Sequence, residues 1–283
     1  MRYGFGFLGV FALSLMLSIG CSEGGTGDGG PVLISARDGG NASDPEVAVD
    51  PSGNAVAVFS QSDGTRYSIF ANRFSPTAGW GAPEQIADDG SSAHGAQVAV
   101  DSSGNAVAVW EQFNTFANRF TPTAGWGAPE VIDDDDGADA RGAQVAVDPS
   151  GNAVVVWEQS EGVPAPYTIF ANRFTPTAGW GAPEQIETDD GGYAAYPQVA
   201  VDPSGTAVAV WMQSEGDRFN IFANRFTPTA GWGAAERIET DDEVDAFLPQ
   251  VAVDPSSNAV VVWVQSDGTR YSIWANRFDE MFP

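Results

Sequence analysis

The chain has 283 residues, with 38 Asp and Glu against 12 basic residues, all of them Arg, and a formal net charge of −26. This charge excludes a nucleic-acid-binding surface, because such surfaces use Lys and Arg to neutralise phosphates. A single Cys and a single His exclude an intramolecular disulfide and a zinc site of the usual ligand count.

The N-terminal segment has the pattern of an exported lipoprotein. Arg2 precedes the apolar run Phe5–Ile19, which is shorter than the roughly 20 residues that span a bilayer as a helix. The residues around Cys21 resemble the bacterial lipobox, in which this Cys is acylated, although the Leu of that pattern sits one place early. We therefore expect a signal peptide over 1–20, lipid attachment at Cys21, anchoring in the cell envelope at the outer membrane, and a Gly-rich tether over 21–30.

Residues 31–283 consist of one unit that is repeated five times. The Asp that ends the phrase Val-Ala-Val-Asp marks the repeat, and it recurs at Asp50, Asp101, Asp148, Asp202 and Asp254. Each unit has four strand candidates separated by turn signals; in the third unit they are Gln144–Asp148, Ala153–Gln159, Tyr167–Phe174 and Glu184–Glu187. Repeated four-stranded units of about 50 residues, apolar on both faces, predict an all-β fold, a five-bladed β-propeller of antiparallel blades.

The two ends of the repeated region predict that the ring is closed. Pro31–Ser35 aligns with a fourth strand, whereas the last unit stops after its third strand, Ser272–Phe278. We therefore expect the N-terminal strand to complete the last blade, because an unpaired edge would otherwise remain. A solenoid is the competing repeat architecture, but it needs capping units and the sequence shows none.

The Asp-Pro-Ser-Gly-Asn turn, followed by a strand that ends in Trp, resembles the NHL-like and Asp-box propeller repeats of secreted bacterial proteins. The spacing departs from the Asp-box pattern Ser-x-Asp-x-Gly-x-x-Trp, since Asp148 lies three residues before Gly151 and Trp157 lies six after it. The resemblance therefore implies a propeller without sialidase activity. Lectin propellers and five-bladed arabinanases and fructan hydrolases are analogies of fold alone.

The two faces of the predicted propeller differ in how strictly they repeat. The face that carries the Asp-Pro-Ser-Gly-Asn turns, which we term the bottom, is nearly invariant, and we expect an Asp–Arg pair in every blade, as between Asp148 and Arg173. One Trp per Gly-Trp-Gly turn lies on the same face, either as a platform for a sugar or as a plug over the end of the blade: Trp80, Trp126, Trp180 and Trp232.

The opposite face, which we term the top, carries connections that vary in length, charge and aromatic content. Aromatic rings beside carboxylates suit sugar binding. We therefore predict one ligand site, with the Trp turns as weaker secondary sites; it consists of Asp189, Asp190, Tyr193, Tyr196, Asp241, Asp242 and Phe247. Two alternatives for the acidic residues are a solvated rim and a Ca²⁺ site formed by Asp135, Asp136 and Asp139.

Catalytic signatures are weak in the sequence. The first-strand position that lines the predicted channel is Gln in four units and acidic only at Glu46, so it supplies no acid/base pair. His94 lacks a nucleophile motif beside it. We therefore expect a monomeric, surface-anchored, non-catalytic module that binds glycan or extracellular polymer. The alternatives are a scaffold for envelope proteins and a propeller-type glycoside hydrolase that uses Glu46 and top-face Asp residues.

Overall fold

The computed structural model describes residues 30–36, 40–87, 90–134, 139–160, 166–187, 192–239 and 244–278. The strands of these residues form five separate antiparallel sheets in chain order. In sheets 1–4 three long strands are followed by a fourth edge that is divided into two short pieces, both paired with the third strand. The predicted all-β fold of five repeated antiparallel sheets is thereby confirmed.

Sheet 1 comprises β1 (Ala42–Val49), β2 (Ala55–Ser62), β3 (Tyr67–Ser75), β4 (Gly79–Trp80) and β5 (Glu84–Gln85). Sheet 2 comprises β6 (His94–Val100), β7 (Ala106–Gln112), β8 (Asn114–Thr121), β9 (Gly125–Trp126) and β10 (Glu130–Val131). Sheet 3 comprises β11 (Asp139–Val147), β12 (Ala153–Ser160), β13 (Tyr167–Thr175), β14 (Gly179–Trp180) and β15 (Glu184–Gln185). Sheet 4 comprises β16 (Ala194–Val201), β17 (Ala207–Glu215), β18 (Arg218–Thr227), β19 (Gly231–Trp232) and β20 (Glu236–Arg237). Sheet 5 comprises β21 (Ala246–Val253), β22 (Ala259–Ser266) and β23 (Tyr271–Phe278).

The first strand of each sheet is the innermost, since it contacts the first strand of the next sheet from β1 through β6, β11 and β16 to β21. The second strands of sheets 1–4 are buried on both faces and contact the first strand of the next sheet, whereas Val260 of β22 in sheet 5 is 45% exposed. Trp110, Trp157 and Trp211 are fully buried at this level. The indole N–H of each donates to the Gln two residues later, as from Trp157 Nε1 to Gln159 Oε1 at 2.8 Å, so the ring's polar atom is satisfied inside the core.

Every innermost strand has a β-bulge near its upper end, where the pairing with the second strand shifts. One residue of each bulge has a positive φ: Asp44, Gly95, Gly142, Tyr196 and Leu248. The next residue is Pro in sheets 1, 4 and 5 but Ala in sheets 2 and 3. In sheet 3 the strand therefore begins at Asp139 rather than at the predicted Gln144, because the bulge interrupts the alternating pattern.

Repeated polar clips join each sheet to the next. The Asn of the third strand reaches back to the fourth edge of the preceding sheet, as from Asn172 Nδ2 to Ile132 O at 2.7 Å. The Arg beside it reaches forward, and the Arg119 guanidinium lies 3.8 Å above the Phe174 ring of the next sheet. Since such contacts recur from sheet to sheet, they hold the repeat together whatever its top loops contain.

The bottom Asp residues cap their own turns. Asp148 Oδ1 accepts from the backbone N of Ser150 at 2.8 Å and of Asn152 at 3.0 Å, and Oδ2 accepts from Asn152 Nδ2 at 2.6 Å. The expected pairing with Arg173 is wrong, because the turn's own donors satisfy the carboxylate and the guanidinium lies over the Phe226 ring at 5.0 Å.

Closure of the ring is not confirmed. The N-terminal residues form no strand within 30–36, yet they contact sheet 1, since Asn72 Nδ2 donates to Ile34 O at 2.8 Å. Ile34 thus takes the place that fourth-edge residues take against the other sheets. On sheet 5, however, Ile273 is 72% exposed, whereas its counterpart Ile221 is 0% exposed. The strand that completes the last blade therefore stays a prediction.

Among the described residues, no helix is both long and apolar enough for a bilayer crossing. The predicted signal peptide, tether and lipid-attachment residue Cys21 lie outside the described residues.

Candidate functional site

Glu111 and Glu158 occupy the same position in sheets 2 and 3, directly after the buried Trp of the second strand. Across the first two strands Glu111 pairs with His94, and Glu158 pairs with Arg141. The residues at this position in the other three sheets are Ser60, Met212 and Val264. Because these sheets form with uncharged residues there, the fold does not require the two carboxylates.

Each of the two glutamates binds the bulge of the following sheet. Glu111 Oε1 accepts from the backbone N of Gly142, and the N–H of Ala143 also bonds this carboxylate. Glu158 Oε1 accepts from the backbone N of Tyr196 at 2.8 Å. A Cβ on Gly142 would lie only 3.3 Å from Glu158 Oε1, so glycine at this bulge leaves room for the Glu158 carboxyl group.

Gly142 therefore lies between the two carboxyl groups. Its N–H bonds Glu111 Oε1, and its α-carbon faces Glu158 Oε1. The path between these two carboxyl oxygens therefore consists of one hydrogen bond, the N–Cα bond of Gly142 and one close contact. Standard bond and hydrogen-bond lengths limit this separation to roughly 9 Å. Glycosidases that work with two carboxyl groups hold them about 5–9.5 Å apart.

The surroundings act differently on the two carboxyl groups. Burial raises the pKa of Glu111 to about 7 against the hydrogen bond from Gly142, and the charge of Glu158 adds to the rise. Burial also raises the pKa of Glu158, while the Tyr196 N–H and the Arg141 guanidinium oppose it. Arg141 Nε lies 2.8 Å from Glu158 Oε2, so this carboxylate is held as an ion pair. An acid whose pKa lies near neutral pH thus sits beside a carboxyl group that Arg141 holds in an ion pair.

Arg141 links the carboxyl pair to aromatic residues of the top. Its Nη2 donates to Tyr193 Oη at 2.7 Å, and its Cζ lies 3.8 Å from the centre of the Tyr167 ring. Tyr167 Oη in turn donates to Asp139. Tyr193, which the sequence predicts as a ligand residue, thus lies one side chain away from Glu158.

A row of rings continues from this point across sheets 4 and 5. Neighbouring ring centroids in what we term the aromatic row are 6.0–6.3 Å apart, and its members are Tyr167, Tyr193, Phe219, Phe247 and Tyr271. On the other side of the carboxyl pair, the rings of Tyr67 and His94 are 5.3 Å apart. In sheet 2 a shortened hairpin starts the third strand at Asn114, and Phe113 directly before it is 78% exposed.

The remaining predicted site residues have different fates. Tyr196 gives its backbone N–H to Glu158, and the residue is 50% exposed. Asp139 bonds Tyr167, and nowhere in the described ranges do three or more metal-binding side chains converge. Six predicted carboxylates lie outside the described residues: Asp135, Asp136, Asp189, Asp190, Asp241 and Asp242.

The Trp residues of the Gly-Trp-Gly turns pack onto the end of their own sheets. Each ring is half-buried and lies 5.4–5.6 Å from a Phe of the preceding strand, centroid to centroid, in the pairs Trp80–Phe74, Trp126–Phe120, Trp180–Phe174 and Trp232–Phe226. This packing leaves the indoles only partly accessible to a ligand.

The sequence analysis missed Glu111 and Glu158, because it looked for acids at the first-strand position that lines the channel, whereas both residues lie on second strands. At the first-strand position, Glu46 is hydrogen-bonded to Gln97 and burial raises its pKa, but it stands without a second acid at that position. A usable signal exists in the second strand. The residue after the Trp or Phe changes from unit to unit, whereas its neighbours repeat.

No protein-family model and no curated protein matches this chain. A solved protein of unknown function from Dyadobacter fermentans matches with a TM-score of 0.57 and 14% identity over 88% of this chain and 81% of its own. An α-L-arabinanase from Penicillium chrysogenum, complexed with arabinobiose, matches with a TM-score of 0.54 and 11% identity over 82% of this chain and 76% of its own. A polysaccharide lyase, the PL25 ulvan lyase, matches with a TM-score of 0.57 and 8% identity over 83% of this chain and 64% of its own. These likenesses show the propeller fold.

The prediction of a non-catalytic binding module is contradicted. Two of these structural neighbours are enzymes, an arabinanase and a polysaccharide lyase, so the prediction that the chain is not an enzyme is also wrong. The glycoside hydrolase alternative agrees better with these neighbours and with the carboxyl pair. The carboxyl pair that the structure brings together is Glu111 and Glu158, whereas the loop residues Asp189, Asp190, Asp241 and Asp242 of that alternative lie outside the described residues.

Proposed function

We propose that the chain is a propeller-type glycoside hydrolase in which Glu111 is the general acid and Glu158 is the second carboxylate. The observation that carries the proposal is the pair on either side of Gly142. One member has a pKa of about 7, and the other is ion-paired with Arg141. The fold shared with an arabinanase supports a carbohydrate polymer as the substrate.

In this reaction Glu111 gives its proton to the glycosidic oxygen as the bond from that oxygen to the anomeric carbon breaks. A water bonded to Glu158 attacks the anomeric carbon and loses its proton to this carboxylate. The negative charge of Glu158 also stabilises the positive charge that develops on the sugar ring. Arg141 positions Glu158 through the contact at 2.8 Å.

An elimination reaction of the lyase type has less support. Such a reaction removes a proton from carbon and needs a base, for which a Tyr must have a lowered pKa. Burial instead raises the pKa of Tyr193, and the cation beside it, Arg141, is already paired with Glu158.

The test is the release of reducing ends by the purified full-length chain from a panel of neutral and acidic polysaccharides that includes arabinan and ulvan. Glu111→Gln and Glu158→Gln should each lower the rate at least a hundredfold. Glu84→Gln, on the exposed edge of sheet 1, serves as the matched control and should keep the wild-type rate. Absence of hydrolysis on every polysaccharide, an active Glu111→Gln variant, or an unsaturated product would each overturn the proposal.

We also propose that the enzyme is anchored to the bacterial cell envelope through lipid on Cys21. The support is the sequence pattern around this residue, the only Cys of the chain. Cys21→Ser should move the protein from the membrane fraction to the soluble fraction. A Ser variant that still sediments with membranes would rule out this anchor.

A further inference from the structure

Aromatic rings lie on both sides of the proposed catalytic pair. Contacts run from each sheet to the next, so the order of the sheets is also the order of the groups around the top. Tyr67 and His94 belong to sheets 1 and 2, and the aromatic row from Tyr167 to Tyr271 belongs to sheets 3, 4 and 5. Glu111 in sheet 2 and Glu158 in sheet 3 therefore interrupt a longer arc of rings.

The rings of this arc are partly exposed and evenly spaced, and Tyr193, Phe219 and Phe247 also pack against the core. Tyr167, Tyr193 and Phe219 are half-buried and Tyr271 is 70% exposed. Successive centroids are 5.3–6.3 Å apart on the two sides of the pair, which is comparable with the length of one sugar residue in a polysaccharide. Neighbouring rings stand at 47–81° to each other, so the series offers apolar ring edges and partial faces to several consecutive sugars rather than one flat platform.

The charges along the arc favour a neutral ligand. The chain carries a net charge of −26, and such a field repels polyanions. Arg141, the cation that touches two rings of the row, is already paired with Glu158, and Asp139 bonds Tyr167 beside it. Arg218 and Arg270, directly before Phe219 and Tyr271, form ion pairs with Asp245 and Asp267. A chain of uronic acids or sulfated sugars would therefore meet carboxylates without a free counter-charge at this point.

We propose that the arc is an extended binding track for a neutral polysaccharide, which is cut at an internal bond. The proposal rests on the hydrolase function proposed above and names its substrate class and mode of action. The track has a short arm, Tyr67 and His94, on the Glu111 side and a long arm, the aromatic row, on the Glu158 side. Most of the binding free energy for the polymer then comes from the long arm.

Internal cleavage is tested by comparing the fall in viscosity with the release of reducing ends on arabinan and on galactan, both neutral polymers. Viscosity should fall steeply while few reducing ends have appeared. Polygalacturonate and ulvan, the acidic probes, should be hydrolysed at least tenfold more slowly. A viscosity that falls only in proportion to the reducing ends, or equal rates on acidic polymers, would overturn the track while leaving the hydrolase function in place.

The long arm is tested at its far end, where Tyr271 is exposed and its loss should not harm folding. Tyr271→Ala should raise KM for long oligosaccharides about five- to tenfold, leave kcat unchanged, and leave trisaccharides unaffected. Tyr271→Phe should restore the wild-type KM, because the ring is retained. Val131→Ala removes an apolar contact surface that is 38% exposed and lies outside the arc, and it should change nothing.

A binding measurement separates this inference from the hydrolase function. Affinity electrophoresis in gels that contain arabinan or galactan reports binding without turnover. The wild-type chain and Glu111→Gln should both be retarded, and Tyr271→Ala should be retarded less. Retardation without hydrolysis would leave the track standing and the hydrolase function refuted, whereas equal migration of the wild-type and Tyr271→Ala chains would overturn the track.

Discussion

The bottom and the top of this molecule are formed by the same five repeats, but the bottom residues recur from sheet to sheet whereas the top residues vary. At the bottom of sheets 1, 2 and 3, the repeated Asp accepts hydrogen bonds from its own turn. The repeated Arg of these sheets lies over a Phe ring of the next sheet. At the top, the position after the buried Trp holds Glu in two sheets and uncharged residues in the other three. The recurrence of the bottom residues shows that they serve the fold, which forms with or without a carboxyl group at the top position.

The bulges sharpen this comparison. In sheets 4 and 5 the bulge residue is followed by Pro, which has no N–H. In sheet 3 the sequence Gly142-Ala143 leaves two N–H groups, and both bond Glu111. The same β-bulge therefore offers one or two N–H groups to a neighbouring carboxyl group, and the residue that follows the positive-φ position decides the number.

The largest effect is expected from a break at the bottom. Asp148→Ala removes three hydrogen bonds within the turn and should lower the free energy of unfolding by about 3–4 kcal/mol. Asp139→Ala at the top, which removes one exposed contact, should cost less than about 1 kcal/mol. Urea denaturation of both variants checks this, and equal losses would contradict the separation of roles.

Glu111→Gln should stabilise the fold in a pH-dependent way. The pKa of Glu111 is raised from 4.5 to about 7 in the folded chain, so its ionisation opposes folding; this cost is absent below pH 4.5 and complete above pH 7. At pH 8 the variant should therefore be more stable by at most about 3 kcal/mol, with no difference at pH 4. Denaturation at both pH values is the measurement. The same change at both would show that the pKa is not raised by folding, and Glu84→Gln is the control.

The smallest effect is expected at the equivalent position in sheet 1. Ser60 is 0% exposed, and its hydroxyl has no hydrogen-bond partner. Ser60→Ala should therefore raise the free energy of unfolding by about 1 kcal/mol, because an unpaired polar atom leaves the core. In contrast, Ser62→Ala removes an acceptor of the Gly64 N–H at 2.9 Å and should slightly destabilise the chain. A loss of stability in Ser60→Ala would mean that the hydroxyl is used.

The architecture could be predicted from the sequence because a fivefold repeat averages out the uncertainty of any one strand. The upper half of β11 could not, since its bulge breaks the alternation on which strand prediction depends. Tyr193 was singled out because aromatic residues in variable loops stand out, and its role as a ligand residue stays a prediction. Glu158 was not, because it follows a run of apolar core residues and its partners, Arg141 and the Tyr196 N–H, come from other strands.

The buried indoles give this repeat a built-in set of spectroscopic reporters. In four of the five sheets one indole N–H donates to a Gln within the core, in Trp110, Trp157, Trp211 and Trp263. In sheet 1 the corresponding residue is Phe59, which is also buried and stacks on Phe70 of the third strand. Each of these indole protons exchanges with solvent only when its own sheet opens. Their four exchange rates therefore measure whether the sheets open together or one at a time.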